Sequence, residues 1–137
     1  MNILIKALPI FLIITSIAFF SAQATVDEDA EKAELIALRI YADWCGHCKT
    51  LDANLDKIKT EFSDSAIWFA VFDVTDDQAK RQTSMMASQL GLSQIYEKYN
   101  GKTGILLLIN PSTGEIVEEL NQNNSADEIK TLLRYHS

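Results

Sequence analysis

Ala42-Asp43-Trp44-Cys45-Gly46-His47-Cys48-Lys49 is the stretch from which the rest of this chain is read. It holds both cysteines of the 137-residue sequence, with Gly46 and His47 between them. Thiols at that spacing can close a small ring with little backbone movement, so they can pass between dithiol and disulfide. An apolar, strand-like run, Leu35-Ile36-Ala37-Leu38-Arg39-Ile40-Tyr41, stands before them and a helical pattern follows. From Cys48 the apolar positions fall at Leu51, Leu55, Ile58 and Phe62. Steps of that kind trace one face of a helix, with Asp52, Lys57, Lys59 and Glu61 turned away.

The helix sorts the two sulfurs. Cys48 heads the apolar stripe and should be shielded. Cys45 sits at the mouth of the helix, where unpaired N–H groups and the dipole favour an anion. The thiolate is the nucleophile, and helix N-termini lower thiol pKa. His47, once protonated, adds a positive charge beside it. Cys45 is therefore expected to be the reachable, attacking thiol and Cys48 the resolving one.

Trp44-Cys45-Gly46-His47-Cys48-Lys49 resembles the active-site signature of the thioredoxin superfamily, and its Cys-Gly-His-Cys centre is similar to that of protein disulfide isomerase domains. The motif is the specific part; from about Leu35 to the C-terminus the resemblance rests on the order of elements. It implies an α/β fold, a thioredoxin-like three-layer sandwich with a central mixed sheet flanked by helices. It also implies thiol–disulfide exchange with protein substrates, with no cofactor and no metal. Trp44 would supply an apolar contact beside the sulfur, and Gly46 and His47 complete the centre, with His47 tuning the couple.

Two departures from the family pattern bear on the site. Thioredoxin-like proteins usually carry a cis-proline just before the third strand, packed against the cysteine pair, but this chain has only Pro9 and Pro111. Thr103 is the residue nearest that role. A cis bond there would cost about 3–4 kcal/mol, so a trans peptide is expected. The second departure is Arg39, six residues before Cys45, where many thioredoxins hold a buried acid that helps move protons to and from the resolving thiol. A guanidinium cannot act as a base at ordinary pH. Pointed at the pair, Arg39 would lower the thiol pKa values and make the protein more oxidising. Placed at the sheet edge, it would be a solvated residue. Both readings stay open.

Beyond the first helix, Ala66 to Phe72 is a second continuous apolar run, with Trp68 expected in the core. Strand, helix, strand implies a right-handed crossover and parallel pairing. Thr75-Asp76-Asp77-Gln78 has the form of a capping box opening a helix to about Leu90, in which Met85 and Met86 read as packing residues. Ser93 to Tyr99 suits a further helical turn. Gly104 to Ile109 reads as a third buried strand. The turn formers Asn110-Pro111-Ser112-Thr113-Gly114 and the run Glu115 to Leu120 then make an antiparallel hairpin. Ser125-Ala126-Asp127-Glu128 is a second capping box, before Ile129, Leu132 and Leu133 on one helix face.

The beginning of the chain has a different character. Lys6 is the only charge before position 25, Ala7 to Phe20 is almost wholly apolar, and Ala22-Gln23-Ala24 is an A-x-A site. Residues 1–24 thus read as a secretory signal peptide, 25–34 as an acidic lead-in and 35–137 as the thioredoxin-like domain. The apolar run is short for a span of about 20 residues, so membrane contact is expected only through this segment if it stays uncleaved. The ending Arg134-Tyr135-His136-Ser137 is not an ER-retention signal, which favours export to a bacterial periplasm. A net charge of −7 disfavours nucleic acid and anionic membrane surfaces as partners. The expected partners are protein thiols and disulfides and a redox partner that the sequence does not identify, with the chain itself a monomer.

Other functions compete with exchange. A plain structural disulfide between Cys45 and Cys48 would close too small a loop to stabilise much. Copper or zinc could be held by Cys45, Cys48 and His47, but a structural zinc wants four ligands and His136 is the one other histidine. Haem attachment requires histidine where Lys49 stands. A redox-inactive thioredoxin-like binding module is the remaining alternative. An exported thiol–disulfide oxidoreductase is the leading reading, with the direction of electron flow open.

Overall fold

A computed structural model describes residues 33–137. The segment read as a signal peptide and the acidic lead-in up to position 32 lie outside the described residues. The apolar run Leu35–Tyr41 forms strand β1, and helix α1 spans Gly46–Ile58. Strand β2 (Ile67–Asp73), helices α2 (Asp77–Gln89) and α3 (Ser93–Tyr99), strands β3 (Ile105–Ile109) and β4 (Ile116–Asn121) and helix α4 (Ala126–His136) follow.

The sheet order is β2-β1-β3-β4. β1 runs parallel to β2, with Leu35 opposite Ile67 and Tyr41 opposite Asp73. On its other side it is antiparallel to β3, which is antiparallel to β4. Two inner strands need apolar side chains on both faces, which is why β1 and β3 are almost unbroken runs of them. Ile36, Leu38 and Ile40 join Phe72, Leu107 and Ile109 under Ala87 of α2 and Ile95 and Tyr99 of α3. On the opposite face Leu35 and Ala37 pack with Leu106 and Leu108 under Leu51, Leu55 and Ile58 of α1 and Ile129 and Leu133 of α4. These are the three layers expected.

Several local expectations shift. α1 starts two residues ahead of Cys48, at Gly46, and gives way after Ile58 to a 3₁₀ turn, Lys59–Phe62, that still buries Phe62. Trp68 is 40% exposed rather than buried. Its strand is an edge of the sheet and lacks a neighbour on one side. Met85 is exposed, and only Met86 packs against the core. α2 is capped by Asp76, whose carboxylate accepts the Ala79 N–H at 2.8 Å, and not by Thr75. Thr75 has other work, at the site. The α4 capping box forms as expected.

Candidate active site

The backbone leaves β1 at Tyr41, turns through Ala42 to Trp44 and enters α1 behind Cys45. The turn is closed by the Cys45 N–H donating to Ala42 O at 3.1 Å. Cys45 is extended (φ −85°, ψ 108°) and is itself the N-cap of α1, its Sγ accepting the N–H of Cys48 at 3.1 Å. The first turn of α1 carries no acidic residue. The positive end of the helix is therefore left to a sulfur, and a sulfur accepts better as thiolate than as thiol.

Cys45 and Cys48 are joined in a disulfide, their Cα atoms 5.3 Å apart. Cys48 is fully buried and Cys45 is 5% exposed. Cys48 is shielded as expected, but Cys45, expected to be the reachable sulfur, is buried as well in this disulfide-bonded form. What covers it is the backbone just ahead of β3. A Cβ placed on Gly104 would fall 3.6 Å from Cys45 Sγ and 2.9 Å from His47 Cβ, and Gly104 has φ +74°. Both the close approach and the left-handed conformation call for glycine. The Gly104 N–H donates to Ile40 O at 3.0 Å, and the same carbonyl lies 3.8 Å from Cys48 Sγ.

The residue that meets the pair is thus Gly104, while Thr103, one position earlier, is half-buried beside it. No cis peptide bond occurs among the described residues, so the trans bond expected at Thr103 is present. A glycine directly ahead of a buried strand was the available signal, since such glycines mark close backbone approaches. A Cβ on Gly46 would meet nothing within 4 Å, so packing does not demand glycine there. Gly46 and His47 are exposed, at the rim of the pair.

Trp44 is 62% exposed and yet not free to wander. Its indole N–H donates to Thr75 O at 3.0 Å, and the neighbouring Asp43 N–H donates to Thr75 Oγ1 at 3.0 Å. The Thr75 N–H is in turn held by Asp73 Oδ1 at 2.9 Å. The loop after β2 braces the loop after β1, at the C-terminal ends of two parallel strands where α/β sheets place their sites. Thr75 is a supporting residue that its capping-box sequence concealed.

The sheet-edge reading of Arg39 does not hold. It lies on an inner strand, not an edge, and its Nη1 pairs with Asp52 Oδ1 of α1. Asp52, expected on the outward side of the helix, is drawn to β1 by that charge. The guanidinium carbon also stands 4.8 Å from the Tyr41 ring centroid. Among the described residues no group of three or more His, Cys, Asp or Glu could hold a metal ion, and no helix is long and apolar enough to cross a membrane.

Comparison with known proteins agrees with this geometry. The family model Thioredoxin matches residues 17–95. Protein disulfide isomerase-like 1-1 of Arabidopsis thaliana is 25% identical over 104 residues, which are 69% of this chain and 21% of that protein. Protein disulfide-isomerase of Arthroderma benhamiae is 34% identical over 53 residues, 39% of this chain and 10% of the relative. The chain thus spans about a fifth or less of the length of the curated relatives it matches. Among solved structures, StoA from Bacillus subtilis superposes with a TM-score of 0.51 at 16% identity, over 74% of this chain and 84% of that one. That likeness is one of fold.

Proposed function

The chain belongs to the thioredoxin family, and from that premise we propose that it is a thiol–disulfide oxidoreductase working through Cys45 and Cys48. The observation that carries the reading is the sulfur of Cys45 serving as the cap of α1, with the Cys48 N–H donating to it at 3.1 Å. When the pair is reduced, that N–H and the helix dipole stabilise a Cys45 thiolate.

The thiolate attacks one sulfur of a substrate disulfide, forms a mixed disulfide and expels the other substrate sulfur as a thiolate. Cys48 then loses its proton and attacks the Cys45 sulfur. The Cys45–Cys48 bond forms, the mixed bond breaks, and the substrate leaves as a dithiol. Two electrons have passed from the protein to the substrate, and the reverse sequence oxidises a dithiol. Trp44, exposed and braced by Thr75, offers an apolar surface beside Cys45 to an incoming peptide, and His47 adjusts the couple from the rim.

Protein thiols and disulfides are the proposed substrates, with a separate redox partner that resets the pair. The Lys6, apolar and Ala22-Gln23-Ala24 sequence supports export, with a bacterial periplasm as the proposed compartment and a monomer as the working form. The reading is tested by reduction of insulin by dithiothreitol. The wild type should accelerate it, and Cys45→Ser should return the rate to background; equal rates for the two would overturn it. N-terminal sequencing of the protein from its host, giving Thr25 as the first residue, tests export.

A further inference from the structure

Strand β2, Ile67-Trp68-Phe69-Ala70-Val71-Phe72-Asp73, has its only charge at its last position and contains no proline. Its pairing with β1 is unbroken, and among the described residues no strand lies on its other side. Edge strands are commonly blunted by charges, proline or a bulge. The opposite edge follows that rule: β4 carries Glu118 and Glu119, with a register shift between Leu108 and Ile109. β2 does not, and Trp68 and Val71 stand exposed along it. We propose that this bare edge is a self-recognition surface, where β2 pairs antiparallel with β2 of a second copy of the chain about a two-fold axis at Ala70. Each copy keeps its own Cys45 and Cys48, so a monomer suffices for exchange and the edge adds an association that depends on concentration.

The backbone fixes which groups are on offer. The Leu35 N–H donates to Ala66 O at 3.4 Å, and the Val74 N–H donates to Tyr41 O at 2.9 Å. Alternation between those two bonds turns the N–H and C=O of Trp68, Ala70 and Phe72 towards β1. Those of Ile67, Phe69, Val71 and Asp73 point outward. In an antiparallel pair, outward groups must meet outward groups. An axis at Ala70 does this along the whole strand, with Phe69 facing Val71 of the second copy and Ile67 facing its Asp73. Centring the axis one residue either way leaves Ile67 or Asp73 without a partner on the strand.

The side chains fit the same register. On the α1 face Phe69 is half-buried and Val71 exposed. Each Val71 then covers Phe69 of the other copy, an aromatic against a β-branched residue, which stabilises sheets. On the other face Ala70 puts only a methyl group at the axis, with an exposed Trp68 to either side. Charge favours a second copy over an unrelated strand. Asp73 arrives at Ile67 of the other copy, where Lys59 borders the same groove and its Nζ stands 6.0 Å from the Phe69 ring centroid. Lys59 makes no salt bridge among the described residues. Asp73 Oδ1 takes the Thr75 N–H at 2.9 Å, which leaves Oδ2 for Lys59. Asp56 borders that groove as well and shares the lysine's charge, so the ion pair adds specificity more than strength.

Sedimentation equilibrium of the protein purified from its host, from micromolar to millimolar concentration, should show reversible conversion of single copies to dimers. Val71→Lys sets a charge against Phe69 on both sides of the axis and should raise the dissociation constant about tenfold or more. Lys59→Glu, which brings like charge to Asp73, should raise it by a smaller factor, and Lys59→Arg should leave it unchanged. Amide hydrogen exchange reads the register. The Phe69 and Val71 N–H groups should slow as concentration rises, while those of Trp68 and Ala70, already bonded to β1, stay as they are. A protein that remains single throughout, or dimers that Val71→Lys leaves intact, overturn the proposal. Phe69 and Val71 amides protected at every dilution overturn it too, since the chain's own residues 25–32 would then occupy the edge. If Val71→Lys does not fold, the concentration dependence of those two amides decides. Dimers without insulin reduction would sink only the oxidoreductase reading, and insulin reduction without dimers would sink only this one.

Discussion

At the start of α4 the free N–H groups of the helix meet oxygen. Ser125 Oγ accepts the Glu128 N–H at 3.2 Å, Glu128 Oε2 accepts the Ser125 N–H at 2.7 Å, and Asp127 and Glu128 put two acids in the first turn. At the start of α1 the acceptor is the sulfur of Cys45, and there are no acids. Both ends are closed by the residue type at one position, but α4 is satisfied at all times by groups that do no chemistry. At α1 the cap is the sulfur of the proposed exchange itself, which accepts the Cys48 N–H at 3.1 Å within the disulfide and would accept it more strongly as a thiolate. A helix start becomes a reactive site here by leaving out the residues that would make it an ordinary one.

The sharpest way to break the contrast is to exchange sulfur for oxygen. Cys45→Ser should lose all exchange while keeping α1 capped, since serine is among the best N-cap residues. Its denaturation midpoint should therefore match that of the reduced wild type. A large drop would mean that the sulfur holds the helix by more than its cap bond. Next in size is Gly104→Ala, which forces a Cβ to within 2.9 Å of His47 Cβ at φ +74°. Urea denaturation should show a loss of about 1–3 kcal/mol, and a neutral result would mean that the backbone ahead of β3 does not press on the pair.

Ser125→Ala tests the other half of the comparison. It should cost about 1 kcal/mol in the same experiment and leave exchange untouched. The smallest effect is one of pH. Glu128 is held below its ordinary value of 4.5 by the backbone N–H of Ser125 and then by its side chain. An acid whose folded pKa is depressed adds stability above its unfolded value and loses it as pH falls through the folded one. The stability gap between wild type and Glu128→Gln should therefore narrow as the pH is lowered from about 6 to 3. A gap that does not change with pH would show that the carboxylate's charge contributes nothing at α4.

Local chemistry was legible in advance wherever one stretch of chain satisfies itself. The apolar run of β1, the C-x-x-C before an apolar helical stripe and the Ser125–Glu128 capping box are of that kind, because donor and acceptor, or stripe and face, lie within a few residues. Thr75 shows the limit. Followed by Asp76, Asp77 and Gln78, it looks like a cap, but its hydroxyl is taken by the Asp43 N–H, 32 residues away. Asp52 faces away by helical periodicity and inward by charge, because Arg39 waits on the adjoining strand.

Short-range pattern was enough for the fold class and for the pairing of Cys45 with Cys48 at the start of a helix, since helix phase and cap position follow from near neighbours. Tertiary structure alone decided that Gly104 would press on Cys45, that Thr75 would brace Trp44, that Asp52 would neutralise Arg39 and that Trp68 would stand on an open edge. Those facts depend on which elements come to lie side by side. Such adjacency is settled by packing summed over the whole core, and no single stretch of chain carries it.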